Sequence, residues 1–198
     1  MKAVITALMM ATLTGCVTTA ADINLQETRV ETNVGIAEYN SVASQYLDKP
    51  TFAKVMRMNT LEGDTIVYSA DAYGSTCSKY GCTKSTLEFK VNERDLPDVF
   101  AAIDKYQAWN KQAIEREDTI TKNIVTFESS YNTTIDYEYS FHSGNSTNHF
   151  LVIKTCSFVG CPDSGVYLND KSVSQLKAEL TKFKSGEFSN FNKEANYN

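Results

Sequence analysis

Proline and glycine are scarce in this 198-residue chain, with 3 and 9 residues against 11 tyrosines and 10 phenylalanines. That balance excludes an extended linker or a low-complexity segment and implies a folded domain. No apolar run beyond Leu13 is long enough to span a bilayer. There is also no basic cluster: 19 basic residues face 24 acidic ones, for a net charge of −5. An acidic surface of that kind is a poor partner for nucleic acid. G-x-S-x-G, H-E-x-x-H, a phosphate-cradling glycine loop and G-x-G-x-x-G are all missing. No nucleophile elbow, zinc-protease helix or dinucleotide site is therefore written locally. Only two histidines occur, His142 and His149, on either side of Ser143-Gly144-Asn145-Ser146-Thr147-Asn148. No acidic residue lies between them to complete a metal site, so the expectation is a pair of solvated loop imidazoles, with no metal and no cofactor. The stretch Glu115-Arg116-Glu117-Asp118 reads as a solvated helix end rather than a carboxylate pair tuned for catalysis.

What is present begins with MKAVITALMMATLTGC. Lys2 is a minimal positive region, and Ala3 to Leu13 is an uncharged, largely apolar run of signal-peptide length. Leu13-Thr14-Gly15-Cys16 resembles the lipobox of bacterial lipoproteins. That resemblance covers only the first 16 residues. It implies cleavage before Cys16, a diacylglyceryl group on the Cys16 thiol and an acylated new amino terminus. Each buried methylene contributes about 0.8 kcal/mol, so several chains hold a protein firmly where one holds it marginally. Val17 stands where an Asp would retain such a protein at the inner membrane, which points to the outer membrane, periplasmic side. Loss of Lys2 with the signal leaves 18 basic and 24 acidic residues, a charge of −6.

With Cys16 assigned to lipid, Cys77, Cys82, Cys156 and Cys161 remain. An even count in an oxidising compartment reads as disulfides, and of the three pairings the local one, Cys77–Cys82 with Cys156–Cys161, is expected. Each pair brackets a short turn, with Gly81 and Gly160 placed where a positive φ is wanted. A loop this small contributes about 2 kcal/mol on the chain-entropy model, so the bridges pin turns more than they staple the fold. Two C-x4-C knuckles have a tolerable spacing for zinc, but periplasmic thiols oxidise first.

The two turns, Thr76-Cys77-Ser78-Lys79-Tyr80-Gly81-Cys82 and Thr155-Cys156-Ser157-Phe158-Val159-Gly160-Cys161, are near-copies. Aligning Asn92 with Asn169 extends the match. Leu96, Val99, Ile103 and Tyr106 fall on Val173, Leu176, Leu180 and Phe183, steps of three, four and three along one helix face. Asp95 falls on Ser172, and both suit a helix N-cap. The offset is 79 residues at the cysteines and 77 at the helices. An internal duplication of a strand–Cys turn–strand–helix unit is expected, unit one over about 51–112 and unit two over about 120–186.

The remaining pattern predicts a signal peptide over 1–15, a polar tether over 16–32, one domain over 33–186 and a flexible tail over 187–198. Ile36, Tyr39, Val42 and Tyr46 have helical spacing before Pro50, which predicts a helix over 34–47. Phe52–Met58 and Thr65–Ala70 read as strands around a turn at Leu61–Asp64. Further strands are predicted at Thr86–Val91, Ile124–Glu128, Thr134–Phe141, Phe150–Ile153 and Val166–Leu168, with helices from Leu96 to about Lys111 and from Val173 to Phe183. Strict alternation implies one dry and one wet sheet face. The expected fold is α+β: two layers, a mostly antiparallel sheet, and two or three helices on one face.

Two features suggest contact rather than catalysis. Asp136 and Glu138 lie on the expected wet face, opposite the aromatic set Tyr137, Tyr139 and Phe141, which reads as core. The tail carries Phe188, Phe191 and Tyr197 in a polar background, as a segment that folds onto a partner does. The expected function is a lipid-anchored, non-catalytic binding or assembly module whose partner is an envelope protein or cell-wall polymer. The alternatives are an anchored hydrolase with His142 or His149 as base, and a small-ligand carrier with a cavity between sheet and helices.

Overall fold

Alternating segments become strands and segments spaced three and four apart become helices, in a mostly antiparallel α+β fold. The computed structural model describes residues 26–57, 63–79, 81–161 and 165–190. Among them the order is β1 (Gln26–Val30), β2 (Ile36–Asn40), β3 (Gln45–Lys49), β4 (Thr51–Arg57), β5 (Thr65–Ser78), β6 (Gly81–Asn92), α1 (Leu96–Arg116), β7 (Ile120–Glu128), β8 (Ile135–Ser143), β9 (His149–Ser157), β10 (Val166–Asn169) and α2 (Asp170–Lys184). Where one sheet was expected there are two. A four-stranded sheet runs β1-β4-β5-β6 and a six-stranded sheet runs β3-β2-β10-β9-β8-β7, every pair antiparallel. Alternation along a strand sets which face is dry, but not which neighbour it pairs with, so the split was invisible locally.

One core joins both sheets to both helices. Leu96, Val99, Ile103 and Tyr106 of α1 and Val173, Leu176, Leu180 and Phe183 of α2 are each at most 3% exposed. They pack with Val55, Ile66, Tyr68 and Phe89 of the smaller sheet and with Tyr139, Phe141, Leu151 and Leu168 of the larger. Each such side chain contributes about 1.5–3 kcal/mol on burial. Tyr137, Tyr139 and Phe141 are core, as their alternation implied, with Phe141 edge-on to Trp109 of α1. Among the described residues, no helix is long and apolar enough to cross a membrane.

α2 is capped one turn earlier than expected, at Asn169, whereas α1 has the expected Asp95 at its N-cap position but draws no capping bond from that side chain. The side-chain oxygen of Asn169 accepts from the Ser172 N–H (2.9 Å), and that of Asn92 accepts from the Arg94 N–H (2.9 Å) in the 3-10 turn leading into α1. The expected caps do other work. Asp95 accepts from the Ser130 N–H at 3.2–3.3 Å, and the Ser172 hydroxyl accepts from the Gly35 N–H at 3.1 Å. An amide four residues ahead of the apolar stripe satisfies the first free N–H groups and leaves the nearer carboxylate or hydroxyl for tertiary bonds.

Three further expectations are corrected. The predicted helix over 34–47 is the β2–β3 hairpin, because the Asn40 side chain accepts from the N–H groups of Val42 and Ala43 (3.0 and 2.9 Å) and folds the backbone into a turn. Ser44 closes that turn at φ +52°. The tether over 16–32 is shorter than predicted: Gln26–Val30 pairs with β4 as an edge strand, which a polar strand with one wet face does without an apolar signature. The tail does not begin at 187. Glu187–Asn190 form a 3-10 turn, Phe188 packs on the core, and the Phe188 carbonyl accepts from Arg57 (3.1 Å). The signal peptide, Cys16, Leu61 and Glu62 of the predicted Leu61–Asp64 turn, Phe191 and Tyr197 lie outside the described residues.

Candidate functional site

The cysteines pair locally. Disulfides join Cys77 to Cys82 and Cys156 to Cys161, with Cα atoms 4.0 and 4.1 Å apart. Gly81 and Gly160 take the expected positive φ, +131° and +112°. In the second turn Ser157 and Gly160 exchange both backbone hydrogen bonds, 3.0 and 2.8 Å. That narrow closure leaves Phe158 and Val159 at the tip, 95% and 80% exposed. Two apolar side chains held in water on a turn that is bridged and hydrogen-bonded cannot collapse back onto their own strands.

Asp136 and Glu138 stand at the base of this turn. Asp136 pairs with Cys156 and Glu138 with Lys154 across β8 and β9, on the face away from α1. Asp136 is exposed. Glu138 is half-buried, accepts from the Ser140 hydroxyl (3.1 Å) and touches the Cys161 sulfur at 3.9 Å. Glu138, Cys156 and Cys161 lie within 4.8 Å of one another, but both sulfurs are spent in a disulfide and offer no thiolate to a metal. Sequence reasoning found the acidic pair through alternation. It missed Phe158 and Val159, whose signal was present: an apolar dipeptide where the matching turn has Lys79-Tyr80.

Further along the same face, the β2–β3 hairpin lays Tyr46 onto Phe150 and Tyr167, with ring centroids 4.4 and 4.8 Å apart, and Tyr39 edge-on to Tyr46 at 5.3 Å. Burial, with Tyr167 beside it, pushes the Tyr46 phenol up to about 12. His142 borders this cluster, its Nδ1 2.8 Å from the Thr121 hydroxyl. Burial, and then His149, hold the His142 imidazole below its ordinary value.

The histidines are not a solvated pair. His149 sits opposite Ser143 in the register and so on the other face from His142, only 7% exposed, its ring 6.1 Å from Phe141. Among the described residues neither of its ring nitrogens has a partner. The neighbouring Ser143 hydroxyl donates to the Asp118 carbonyl and is itself buried, so this Ser–His juxtaposition contains no nucleophile–base bond.

One buried polar contact was not legible in the sequence. Glu179 of α2 is 8% exposed and accepts from the Thr32 hydroxyl (2.9 Å), the Asn33 N–H (2.8 Å) and the Tyr68 hydroxyl (3.1 Å). It ties the β1–β2 connection and β5 to α2. Two open grooves, of about 480 and 680 Å³, flank β1 on either side, the first with Phe188 and Glu179 in its wall and the second with Phe52 and Lys54.

No protein-family model matches this chain, and no curated protein or solved structure matches it significantly.

Proposed function

We propose that this chain is a lipid-anchored outer-membrane lipoprotein, facing the periplasm, that acts as a non-catalytic docking module. Its contact element is the Cys156–Cys161 turn together with the acidic face at the base of that turn. The observation that supports this reading best is the exposure of Phe158 and Val159 on a doubly closed turn beside Asp136 and Glu138. An apolar tip with an acidic base fits a protein partner with an apolar socket rimmed by basic groups. A rigid tip loses little conformational freedom when it docks, so more of the contact energy survives as affinity. Anchoring through Cys16, as the lipobox-like sequence implies, would raise the effective concentration near any envelope partner.

The same reading includes a duplicated origin for the two hairpin–helix units. The matched cysteine turns, the matched capping amides Asn92 and Asn169 and the matched buried helix positions support it. An experimental structure in which the two units superpose no better than unrelated hairpin–helix pairs would end it.

The test is in-cell photocrosslinking of the full chain with the crosslinker at Phe158, at Val159 and, as a control, at the exposed Phe52 of β4. A discrete adduct at the turn, lost on D136K/E138K, is expected. Equal adducts at Phe52 and at the turn would sink the docking assignment. The anchor is checked separately by fatty-acid labelling, which C16S must abolish.

A further inference from the structure

The single tryptophan of the chain lies in a cleft that the docking turn does not touch. Between the C-terminal half of α1 and the edge strand β7 there is an open cleft of about 220 Å³. Its apolar walls are Trp109, Phe141 and Ile120. Phe141 is buried, and Ile120 is 45% exposed at the rim.

Cations converge on this cleft although the protein as a whole is acidic. Arg116 and Lys122 line it, and the Lys122 ammonium lies 5.0 Å from the Trp109 ring centroid. The Lys105 ammonium lies 4.9 Å from the same centroid and is fixed there by a hydrogen bond to the Ile124 carbonyl, 3.1 Å. Neither Arg116 nor Lys122 forms an ion pair among the described residues, whereas Lys49, Lys54, Lys84 and Lys177 are each matched to a carboxylate. Asp118 is the one acidic residue lining the cleft, against Arg116 and Lys122; Lys105 lies at the indole but outside the lining. The partial negative charge of the α1 C-terminus and Asp118 offset Arg116 in part, which leaves Lys122 as the surplus charge in the lining.

We propose that the Trp109 cleft binds a small carboxylate-bearing ligand about one ring in size. The planar guanidinium of Arg116 matches a carboxylate with two parallel N–H···O bonds, which an ammonium cannot do. Lys122 sits on a flexible stem, so it covers the indole when the cleft is empty and turns to the anion when it is filled. Lys105, held by Ile124, keeps a fixed positive charge at the indole outside the lining. The Trp109 face and the Phe141 and Ile120 side chains take the flat body of the ligand, either an aromatic ring or the apolar face of a sugar. The site is independent of the anchor and of the docking turn.

Because Trp109 is the only indole, intrinsic fluorescence of the full chain reports this cleft directly. The probes are benzoate against benzyl alcohol, and N-acetylmuramic acid against N-acetylglucosamine. Each pair compares an acid with a close analogue that lacks its carboxylate. At least one acid is expected to give a saturable change in Trp109 emission, at a concentration at least about tenfold below that of its neutral partner, the ratio for about 1.4 kcal/mol. Saturation by benzoate alone marks an aromatic acid, and saturation by the muramic acid marks an acidic sugar. The double variant R116Q/K122Q should lose at least tenfold in apparent affinity while its melting curve is unchanged, both side chains being exposed. Equal responses to acid and neutral partner, no saturable response to either acid, or undiminished binding by R116Q/K122Q would overturn the proposal.

Discussion

The two disulfide turns share a sequence pattern and a glycine at positive φ but sit in different surroundings. Cys77–Cys82 closes a long arm. β5 and β6 run 14 and 12 residues, and beyond a bulge where Ala72, Tyr73 and Gly74 face Ser85 the remaining pairs stand away from the core. Both cysteines there are exposed. Cys156–Cys161 closes a turn pressed against the larger sheet: Cys156 is 4% exposed, and β9 is buried along most of its length. The first tip carries Lys79 where the second carries Phe158. Identical covalent chemistry thus pins one turn on a free arm and one beside the core, and what each turn can do is decided by the residues between the cysteines and the surface behind them.

At one buried matched position the helices that follow the turns differ in kind, apolar against charged. Aligning Asn92 with Asn169 places Ala102 of α1 on Glu179 of α2. Ala102 is 1% exposed and packs in the core, whereas Glu179 holds three hydrogen-bond donors from β5 and the β1–β2 connection. Exchanging the two residues should break the molecule in both directions. Ala102→Glu buries a carboxylate with no partner set and should cost more than about 4 kcal/mol, seen as loss of the cooperative urea transition. Glu179→Ala removes the acceptor for Tyr68 and Asn33 and should cost about 2–4 kcal/mol, read as a lowered urea midpoint at unchanged slope. A double exchange no worse than Glu179→Ala alone would show the two positions to be equivalent after all.

Removing each disulfide sharpens the first comparison. C156S/C161S should cost about 2 kcal/mol globally, the loop-entropy value for so short a ring, because the turn belongs to the cooperative sheet. C77S/C82S should cost less than about 1 kcal/mol globally. Its effect should instead appear as faster amide exchange confined to residues 75–84, since an arm that contributes little to the core opens locally. Equal global losses would mean that the arm folds as one unit with the rest.

The smallest expected effect is on pH dependence. His142 has its folded value lowered by burial from the ordinary 6.5. The unfolded chain therefore binds the proton more tightly, and the His142 contribution is intact above pH 6.5 and is lost as pH falls from there through the folded value. Asp64 and Asp95 act with the opposite sign at lower pH. Burial raises both above 3.8, so each contribution is fully present below that value and is lost as pH rises through the raised one. Urea midpoints across about pH 5 to 8 should slope upward for the native chain and flatten for His142→Gln, since histidine dominates that window. An unchanged slope would place the titration elsewhere.

Much of the architecture was legible because it is written in periods. The spacing of Leu96, Val99, Ile103 and Tyr106, and of their four counterparts in α2, identified both helices and their buried faces. Alternation in Ile135–Phe141 placed Tyr139 inward and Glu138 outward. The same method failed at Ile36–Tyr46, where a helical spacing coincided with a hairpin. There the deciding group was the Asn40 side chain, a local hydrogen-bond acceptor that periodicity does not weigh. It also failed for Gln26–Val30 and Phe188, whose order depends on partners far along the chain: β4 for the first, and Arg57 and the core for the second. Of the candidate contact surface, Asp136 and Glu138 were found from the sequence. Their proximity to Phe158 and Val159 follows only from the β8–β9 register.

By itself the sequence determined the element types over most of the chain, the buried face of each helix and the pairing of the cysteines. These depend on residues within a few positions of one another, where side-chain direction and turn geometry act directly. Only the tertiary structure decided that the strands divide into two sheets, that Glu179 has its donors, that His149 is sealed in and that cations gather around Trp109. Each of those outcomes joins residues distant in sequence, and such meetings are selected by the free energy of the whole packed core rather than by any local preference.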